Sequence, residues 1–176
     1  DFGSGPQIWI DNLDDAEGTL DVFREFFENE RLKKVWHNYS FDRHVLYNHG
    51  IDSRGLGGDT MHMARIWDTS RDRASAGGSS SGFSLEALSS SEEVFRGLPN
   101  RPPEGRFEKR TMKEIFGRKA IKKDGTEGKL TVVPDVLELQ RAEEWREDFI
   151  RYSADDAEVT WWLREALEMR LREMSW

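Results

Sequence analysis

The chain has 176 residues, of which 36% are hydrophobic and 34% are charged, a composition typical of a globular domain with a highly charged surface. This length allows one substantial core, and we expect residues 1–176 to form a single domain. The formal net charge of −8 argues against a general electrostatic grip on nucleic acid, although it leaves room for chemistry at a carboxylate-rich metal site. The absence of cysteine excludes disulfides, thiolate metal sites and a cysteine nucleophile, and no apolar run predicts a membrane-spanning helix.

The first fifty residues predict alternating strands and helices. QIWI (residues 7–10) predicts a short strand, and residues 19–30 have apolar side chains at helical spacing. LKKVWHN (32–38) predicts a second strand, and SFDRHVLYNHG predicts a helix that ends at Gly50. A chain that begins almost inside a strand is typical of a fragment, so we expect further strands upstream.

The middle of the chain alternates helices with polar loops. IDSRGLGGD (51–59) predicts a glycine-rich loop, and the DTMHMARIWD segment that overlaps its end predicts a helix. Residues 70–82 are rich in small side chains and predict a flexible loop. FSLEALSS (83–90) and TMKEIFG (111–117) predict short helices on either side of a polar stretch that contains prolines.

The last third predicts a hairpin and then helices. RKAIKKDGTEGKLTVV has two β-capable arms around Asp124-Gly125, the pattern of a β-hairpin. Two helices are predicted after it, one from Asp135 to about Tyr152 and one from Asp155 onward. The order of strands and helices indicates an α/β fold with a mixed sheet flanked by helices.

Polar and aromatic side chains cluster where the second predicted strand gives way to a helix. Asn38, Phe41 and Asp42 stand at this junction, and α/β folds build ligand crevices at such sheet edges. The alternative is helix capping, in which Asn38 or Ser40 caps the helix and Asp42 complements its dipole.

A second pair lies near the C-terminus. Tyr152 and Asp156 are four residues apart, so on a helix the hydroxyl and the carboxylate can converge on one point. Such a pair is also a common accident of helical sequences. Taken with Asp42, however, it supplies two distant carboxylates and a phenol, which are parts of a two-metal phosphodiester hydrolase. A tyrosine hydroxyl can orient the attacking water, although it is a poor base.

These motifs and their order resemble a known family. NYSFD and YSADDAEVT are similar to the second and third motifs of the DnaQ-like 3′–5′ exonucleases whose last motif is Tyr-x-x-x-Asp. The segments GDTMHMARIWD, FSLEAL and TMKEIFG also follow the order seen in the proofreading domain of family A DNA polymerases. The resemblance extends over nearly the whole chain from about Lys33 and is closest to the plant organellar branch, which carries a segment like KAIKKDGTEGKLTVVP.

The resemblance implies a ribonuclease-H-like fold and roles for several residues. Asp42 and Asp156 would ligate divalent metal ions, two Mg²⁺ or Mn²⁺, and Tyr152 would orient the nucleophilic water. Asn38 and Phe41 belong to the motif that contacts the 3′-terminal nucleotide, and Met112 would pack against the terminal base.

The family's first motif, Asp-x-Glu at the end of an apolar strand, has no counterpart here. Asp15-Ala16-Glu17 has the right letters but does not follow an apolar strand, and it suits a helix entry. Asp11 follows QIWI but has no glutamate two residues later. We expect this motif to lie upstream or to have been lost, and in either case we expect the fragment alone to bind metal poorly.

The resemblance therefore predicts a metal-dependent 3′–5′ exonuclease domain that proofreads single-stranded DNA 3′ ends. It implies a polymerase domain in the same parent chain, a location in mitochondria or plastids, and no membrane partner. The alternatives are a stand-alone RNA 3′-end exonuclease of the ribonuclease D type and an inactive exonuclease-like binding domain.

Three further features have two readings each. No two of the histidines form a convincing zinc pair, although we expect His37 to line the site. Most of the seven tryptophans predict core positions, with stacking on single-stranded DNA as the alternative. The basic run RKAIKK predicts a solvated hairpin or, as the sharper alternative, a contact with phosphates.

Overall fold

A computed structural model of the chain describes residues 7–71, 82–100, 110–123 and 125–175. These residues form helices and two small sheets, so the predicted mixed α/β fold is confirmed. Among the described residues, no helix is both long enough and apolar enough to cross a membrane. After a 3₁₀ turn at Asp14–Ala16, the elements in chain order are α1 Thr19–Val22, α2 Arg24–Glu28, β1 Lys34–Trp36, α3 Tyr39–Asn48, β2 Leu56–Asp59, α4 Thr60–Trp67, α5 Leu85–Ser89, α6 Glu92–Phe95, α7 Met112–Phe116, β3 Arg118–Ile121, β4 Glu127–Val132, α8 Val136–Arg141 and α9 Glu143–Glu173.

A β–α–β unit organises the first half. Strand β1 pairs in parallel with β2, and α3 connects them, so the ends of both strands meet at one edge. The sequence predicted a loop where β2 lies, because Leu56-Gly-Gly-Asp has little strand propensity. The strand forms because of packing rather than strand propensity. A Cβ on Gly57 would lie only 3.0 Å from Lys33 Cβ, so glycine allows the close approach of the two strands.

The hairpin and the helices before it follow the prediction. Strands β3 and β4 pair antiparallel, with Arg118 opposite Val132 and Lys119 opposite Thr131. Helices α3, α4, α5 and α7 also lie where the sequence placed them. The predicted break near Tyr152 is wrong, because α9 runs continuously for 31 residues. No glycine or proline interrupts it, and the Ser153 hydroxyl donates to the Phe149 carbonyl within the helix at 2.9 Å.

The N-terminal strand prediction is also wrong. Residues 7–10 form no strand and pair with no other strand among the described residues. Instead Trp9 packs edge-on against Phe149 at 5.7 Å between ring centroids, and the Gln7 side chain donates to Glu158 at 2.5 Å. Residues 19–30 form two short helices rather than one, and Phe23 lies between them. The loop predicted at 70–82 and the proline-bearing stretch after Asn100 lie largely outside the described residues.

Helix α9 packs on two separate hydrophobic clusters. Its C-terminal half contributes to the larger one, whose buried members are Ala64, Phe83, Leu88, Val94, Phe95, Val159, Leu163, Ala166 and Leu167. Its N-terminal half contributes to an aromatic cluster of buried Phe116, Leu139 and Phe149, with Trp9, Met112, Ile115, Val133, Trp145 and Tyr152 packed against it. The helix therefore places Tyr152 against the aromatic cluster and Asp156 between the two clusters, which together fix the rotation of the helix.

Candidate active site

A cleft of about 780 Å³ lies between β1, α3 and α9. Asp42 from α3 and Asp156 from α9 both line this cleft. In the sequence, 113 residues (43–155) lie between them. The carboxylates proposed from two separate motifs thus reach one space. The other lining residues are Phe26, Phe27, Leu32, Lys33, Lys34, Val35, Trp36, His37, Leu85, Ala157, Thr160 and Trp161.

A buried carboxylate fixes the turn between β1 and α3. Asn38 has left-handed backbone angles, with φ +68° and ψ +56°, which asparagine tolerates better than most residues. The Asp59 side chain, only 6% exposed, accepts hydrogen bonds from the backbone N–H groups of Asn38 at 3.1 Å and Tyr39 at 2.8 Å. The same carboxylate accepts the N–H groups of Met61 and His62 at the start of α4.

Asp59 is therefore the residue that the sequence reasoning missed. The predicted cap of α3 was Asn38 or Ser40, yet neither side chain caps the helix: Ser40 Oγ donates to Asn38 Oδ1 at 3.1 Å. A carboxylate twenty-one residues away holds both helix starts, and only the short distance between parallel strand ends makes this possible. The signal available in the sequence was an aspartate directly before a helix, which indicates one cap and not two.

The Asp42 carboxyl lies in an environment that disfavours its charge. Burial raises the pKa of Asp42 above the usual range, and the nearby Asp59 carboxylate raises the pKa further. A backbone hydrogen bond at the start of α3 opposes both effects by lowering the pKa. An anion held in this way gains from any cation that enters the cleft.

A buried ammonium orders one wall of the cleft. Lys34 is 5% exposed, and its Nζ donates to the carbonyls of Phe26, Asn29 and Leu32 at 2.8–2.9 Å. The ring of Phe26 lies 5.1 Å from the same nitrogen. Burial lowers the pKa of Lys34, and the charge of Lys33 adds to that effect. With three carbonyl acceptors, the ammonium holds the segment between α2 and β1 rather than facing a ligand.

The remaining predicted site residues occupy two other places. Tyr152 and Met112 pack against the aromatic cluster, where the Tyr152 ring meets Phe116 at 6.2 Å between centroids. Tyr152 precedes Asp156 by one helical turn but is not among the residues that line the cleft. Phe41 is 64% exposed and, like Asn38, stands at the junction without lining the cleft. The roles assigned to these residues stay predictions.

Two tryptophans line the cleft and were assigned to the core by the sequence reasoning. Trp36 on β1 and Trp161 on α9 are half-buried rather than fully buried. The Trp36 indole N–H is buried and has no hydrogen-bond partner among the described residues. His37 also lines the cleft, and its Nδ1 lies 2.8 Å from Thr60 Oγ1, whereas His44, His49 and His62 are exposed.

The described residues do not make a complete metal site. No group of three histidine, aspartate or glutamate side chains among them is arranged to hold an ion. Asp42 and Asp156 are hard oxygen donors of the right kind, but two carboxylates fall short of the ligand set that Mg²⁺ sites need. The fit of the described residues to a two-metal centre is therefore partial.

Comparison with known proteins gives a family match for the first half of the chain. The profile of the 3′–5′ exonuclease family matches residues 6–92, which include β1, the Asn38 turn and Asp42. Over this segment, just under half of its length, the chain is similar to the 3′–5′ exonuclease family. Exonucleases of this family generally depend on divalent metal ions.

The relatives are plant organellar DNA polymerases. Over its full length the chain is 46% identical to "DNA polymerase I A, chloroplastic/mitochondrial" of Arabidopsis thaliana and 44% identical to "DNA polymerase I A, chloroplastic" of Oryza sativa subsp. japonica. The chain spans only 16% of the length of these relatives. No solved structure matches the chain. The resemblance to the exonuclease domain of family A DNA polymerases is thus confirmed at the level of sequence.

Proposed function

We propose that this chain is the proofreading domain of an organellar DNA polymerase and that it hydrolyses 3′-terminal phosphodiesters of single-stranded DNA. The observation that carries the proposal is the convergence on one cleft of Asp42, which lies in the segment matched by the exonuclease profile, and Asp156, from the Tyr-x-x-x-Asp motif predicted from the sequence. A polymerase domain in the parent chain and a location in mitochondria or plastids are proposed from the names of the relatives.

Asp42 and Asp156 would supply part of the ligand set for two divalent ions, Mg²⁺ or Mn²⁺. When bound, such ions stabilise the attacking and leaving oxygens of an in-line displacement. The remaining ligands would come from outside the described residues, because those residues offer no third donor at this position. The raised pKa of Asp42 supports this role, since a carboxylate that is poorly stabilised by its own protein gains most from a cation.

The chain's own side chains would then hold the terminal nucleotide. Trp36 and Trp161 offer aromatic surface in the cleft on which bases can stack. Asn38 stands in a turn that Asp59 fixes, four residues before Asp42, and its amide would contact the terminal nucleotide. Tyr152 lies one turn before Asp156, and its hydroxyl would orient the attacking water molecule.

The test is removal of each carboxylate in the full-length protein. We expect Asp42→Ala and Asp156→Ala each to lower 3′ excision from a single-stranded oligonucleotide by more than roughly 100-fold, because each removes a metal ligand. Polymerisation on a primed template should be unchanged. The matched control is Asp155→Ala, which removes an exposed carboxylate from the adjacent position of α9 and should leave excision intact.

Two results would contradict the proposal. Normal excision by Asp42→Ala or Asp156→Ala would show that the cleft is not the active site. Excision of RNA 3′ ends at a higher kcat/KM than DNA 3′ ends would instead support the ribonuclease D type of function. Nothing in the comparisons favours that alternative, since the relatives named above are DNA polymerases.

A further inference from the structure

The β3–β4 hairpin carries positive charge on an otherwise acidic chain. Residues 118–133 contain five basic and two acidic side chains, whereas the whole chain has a net charge of −8. The basic residues are Arg118, Lys119, Lys122, Lys123 and Lys129, and the acidic ones are Asp124 and Glu127. A local excess of positive charge is typical of a surface that binds a polyanion such as nucleic acid.

Two of these five basic side chains contact other residues of the chain, and the other three form no ion pair with a described residue. The Arg118 guanidinium lies over the Trp145 ring at 4.5 Å and pairs with Glu144 at 2.7 Å, and Lys119 donates to Thr131 Oγ1 at 3.3 Å. Lys122, Lys123 and Lys129 are exposed, and none of them forms an ion pair with another described residue. Three cations are therefore available to an outside partner.

The hairpin also exposes large aliphatic side chains. Ile121 is 66% exposed and Leu130 is 67% exposed. At the root of the hairpin a Cβ on Gly117 would lie 2.1 Å from the Lys113 carbonyl oxygen and 2.6 Å from Thr131 Cγ2, so α7 and the hairpin are packed too closely for a larger residue. A rigid base with an exposed amphipathic tip suits a contact with a macromolecule.

The root of the hairpin packs on the aromatic cluster, which adjoins the Asp156 turn of α9. Phe116, two residues before β3, meets Trp145 at 5.9 Å and Tyr152 at 6.2 Å between ring centroids. Trp145 and Tyr152 are seven residues apart on α9, which is about 10 Å along a helix. The hairpin root is thus anchored on the part of α9 that contains Tyr152, one helical turn before Asp156 of the cleft.

We propose that the β3–β4 hairpin, through Lys122, Lys123 and Lys129, binds the phosphate backbone of the single strand upstream of the nucleotide being removed. This proposal rests on the proposed function and extends it, because it assigns a second DNA-binding surface outside the cleft. The cleft holds the terminal nucleotide, and the hairpin holds the strand that leads to it. A net negative chain can then retain DNA through one local positive surface.

The test compares substrates that do and do not reach the hairpin. In the full-length protein, Lys122, Lys123 and Lys129 are changed together to glutamine, and 3′ excision is measured on a single-stranded 12-mer, a trinucleotide and a nitrophenyl ester of thymidine monophosphate. We expect the triple variant to raise the KM for the 12-mer and to leave kcat unchanged. The kinetic constants for the two small substrates should not change, because they engage only the cleft.

Salt dependence gives a second readout that a purely structural change would not move. Each phosphate contact with a single strand contributes about 0.7 to the slope of log affinity against log salt, so losing three contacts should lower that slope by about 2. Between 50 and 200 mM salt, the KM of the unaltered protein for the 12-mer should then rise roughly 16-fold more than that of the triple variant.

Two control variants complete the experiment. Changing the same three lysines to arginine preserves the charge and should preserve both the KM for the 12-mer and its salt slope. Changing the exposed Arg54, Arg96 and Arg172 to glutamine alters the net charge equally outside the hairpin and should leave the KM nearly unchanged.

Several outcomes would overturn the proposal. These are an unchanged KM and salt slope for the 12-mer, an equal loss on all three substrates, and a loss of polymerisation without a change in excision. The last would indicate that the hairpin contacts another part of the protein. Failure of the proposed function is distinguishable from all of them, since it would appear as no excision by the unaltered protein on any substrate.

Discussion

Asp42 shows a conflict between stability and function within a single residue. Its side chain is held where burial and the Asp59 charge disfavour ionisation, and a nonpolar or neutral side chain would suit the same position better. Groups of this kind are common at functional sites, where activity is kept at the expense of folding free energy. Asp42 therefore carries a functional signature that Asp155, exposed on α9, does not.

Replacement of Asp42 should stabilise the metal-free chain in a pH-dependent way. Because the pKa of the folded carboxyl lies above its unfolded value, the folded state favours the protonated form, and stability is lost as pH rises through the folded pKa. Asp42→Asn removes this loss. We expect urea unfolding in EDTA to give a more stable variant at pH 7 and no difference below the usual aspartate pKa of about 3.9.

Asp155→Asn is the matched control for that measurement and should match the unaltered chain at both pH values. An Asp42→Asn variant that is less stable than the unaltered chain at neutral pH would contradict the interpretation of this site.

At the level of the elements, one carboxylate joins two helices. Asp59 accepts from the first backbone N–H groups of α3 and of α4, so the start of each helix is fixed relative to the other. This contact therefore also fixes the position of Asp42. Helix α3 carries Asp42 at its first turn, and the left-handed turn at Asn38 is stabilised by the same carboxylate.

Loss of Asp59 should therefore cost more than loss of an ordinary cap. We expect Asp59→Ala to lower the free energy of unfolding by about 2–4 kcal/mol, because two caps are lost and buried N–H groups are left unpaired. Asp135 caps only α8, through Leu137 N–H at 2.9 Å, and Asp135→Ala should cost about 1 kcal/mol. Urea unfolding of the two variants makes the comparison.

Equal costs for the two variants would show that Asp59 acts as a single cap. Asp59→Asn, which retains one acceptor oxygen, should fall between the alanine variant and the unaltered chain.

At the level of the whole molecule, the features set by local sequence pattern could be predicted, whereas the features set by packing between distant segments could not. Helices α3 and α4, the hairpin and the position of Asp42 and Asp156 on separate elements follow from periodicity, turn residues and family motifs. Strand β2 does not, because glycines that look like a loop serve the close approach of β1. The shared cleft depends on contacts between distant segments, so spacing alone could not place Trp36 and Trp161 in it.

The partial ligand set gives a prediction for the chain as a whole. With only two carboxylates facing the cleft among the described residues, the isolated 176-residue chain should bind Mg²⁺ weakly. Since binding stabilises the folded state by RT ln(1 + [L]/Kd), 1 mM Mg²⁺ should raise its melting temperature by less than about 1 °C. The full-length protein should show saturable binding of Mg²⁺ that Asp42→Ala weakens. Tight binding by the isolated chain would mean that it contains a complete ligand set.

The continuous helix α9 also constrains how this part of the gene can change in length. Each residue along a helix turns the side chain by about 100°. A single inserted or deleted codon between Phe149 and Val159 would either swing Asp156 away from the cleft or pull Leu163 and Leu167 out of the larger core. Evolution can exchange side chains on the exposed face of α9 freely, yet the number of residues between its two cores is fixed by the need to keep both cores and the carboxylate in phase.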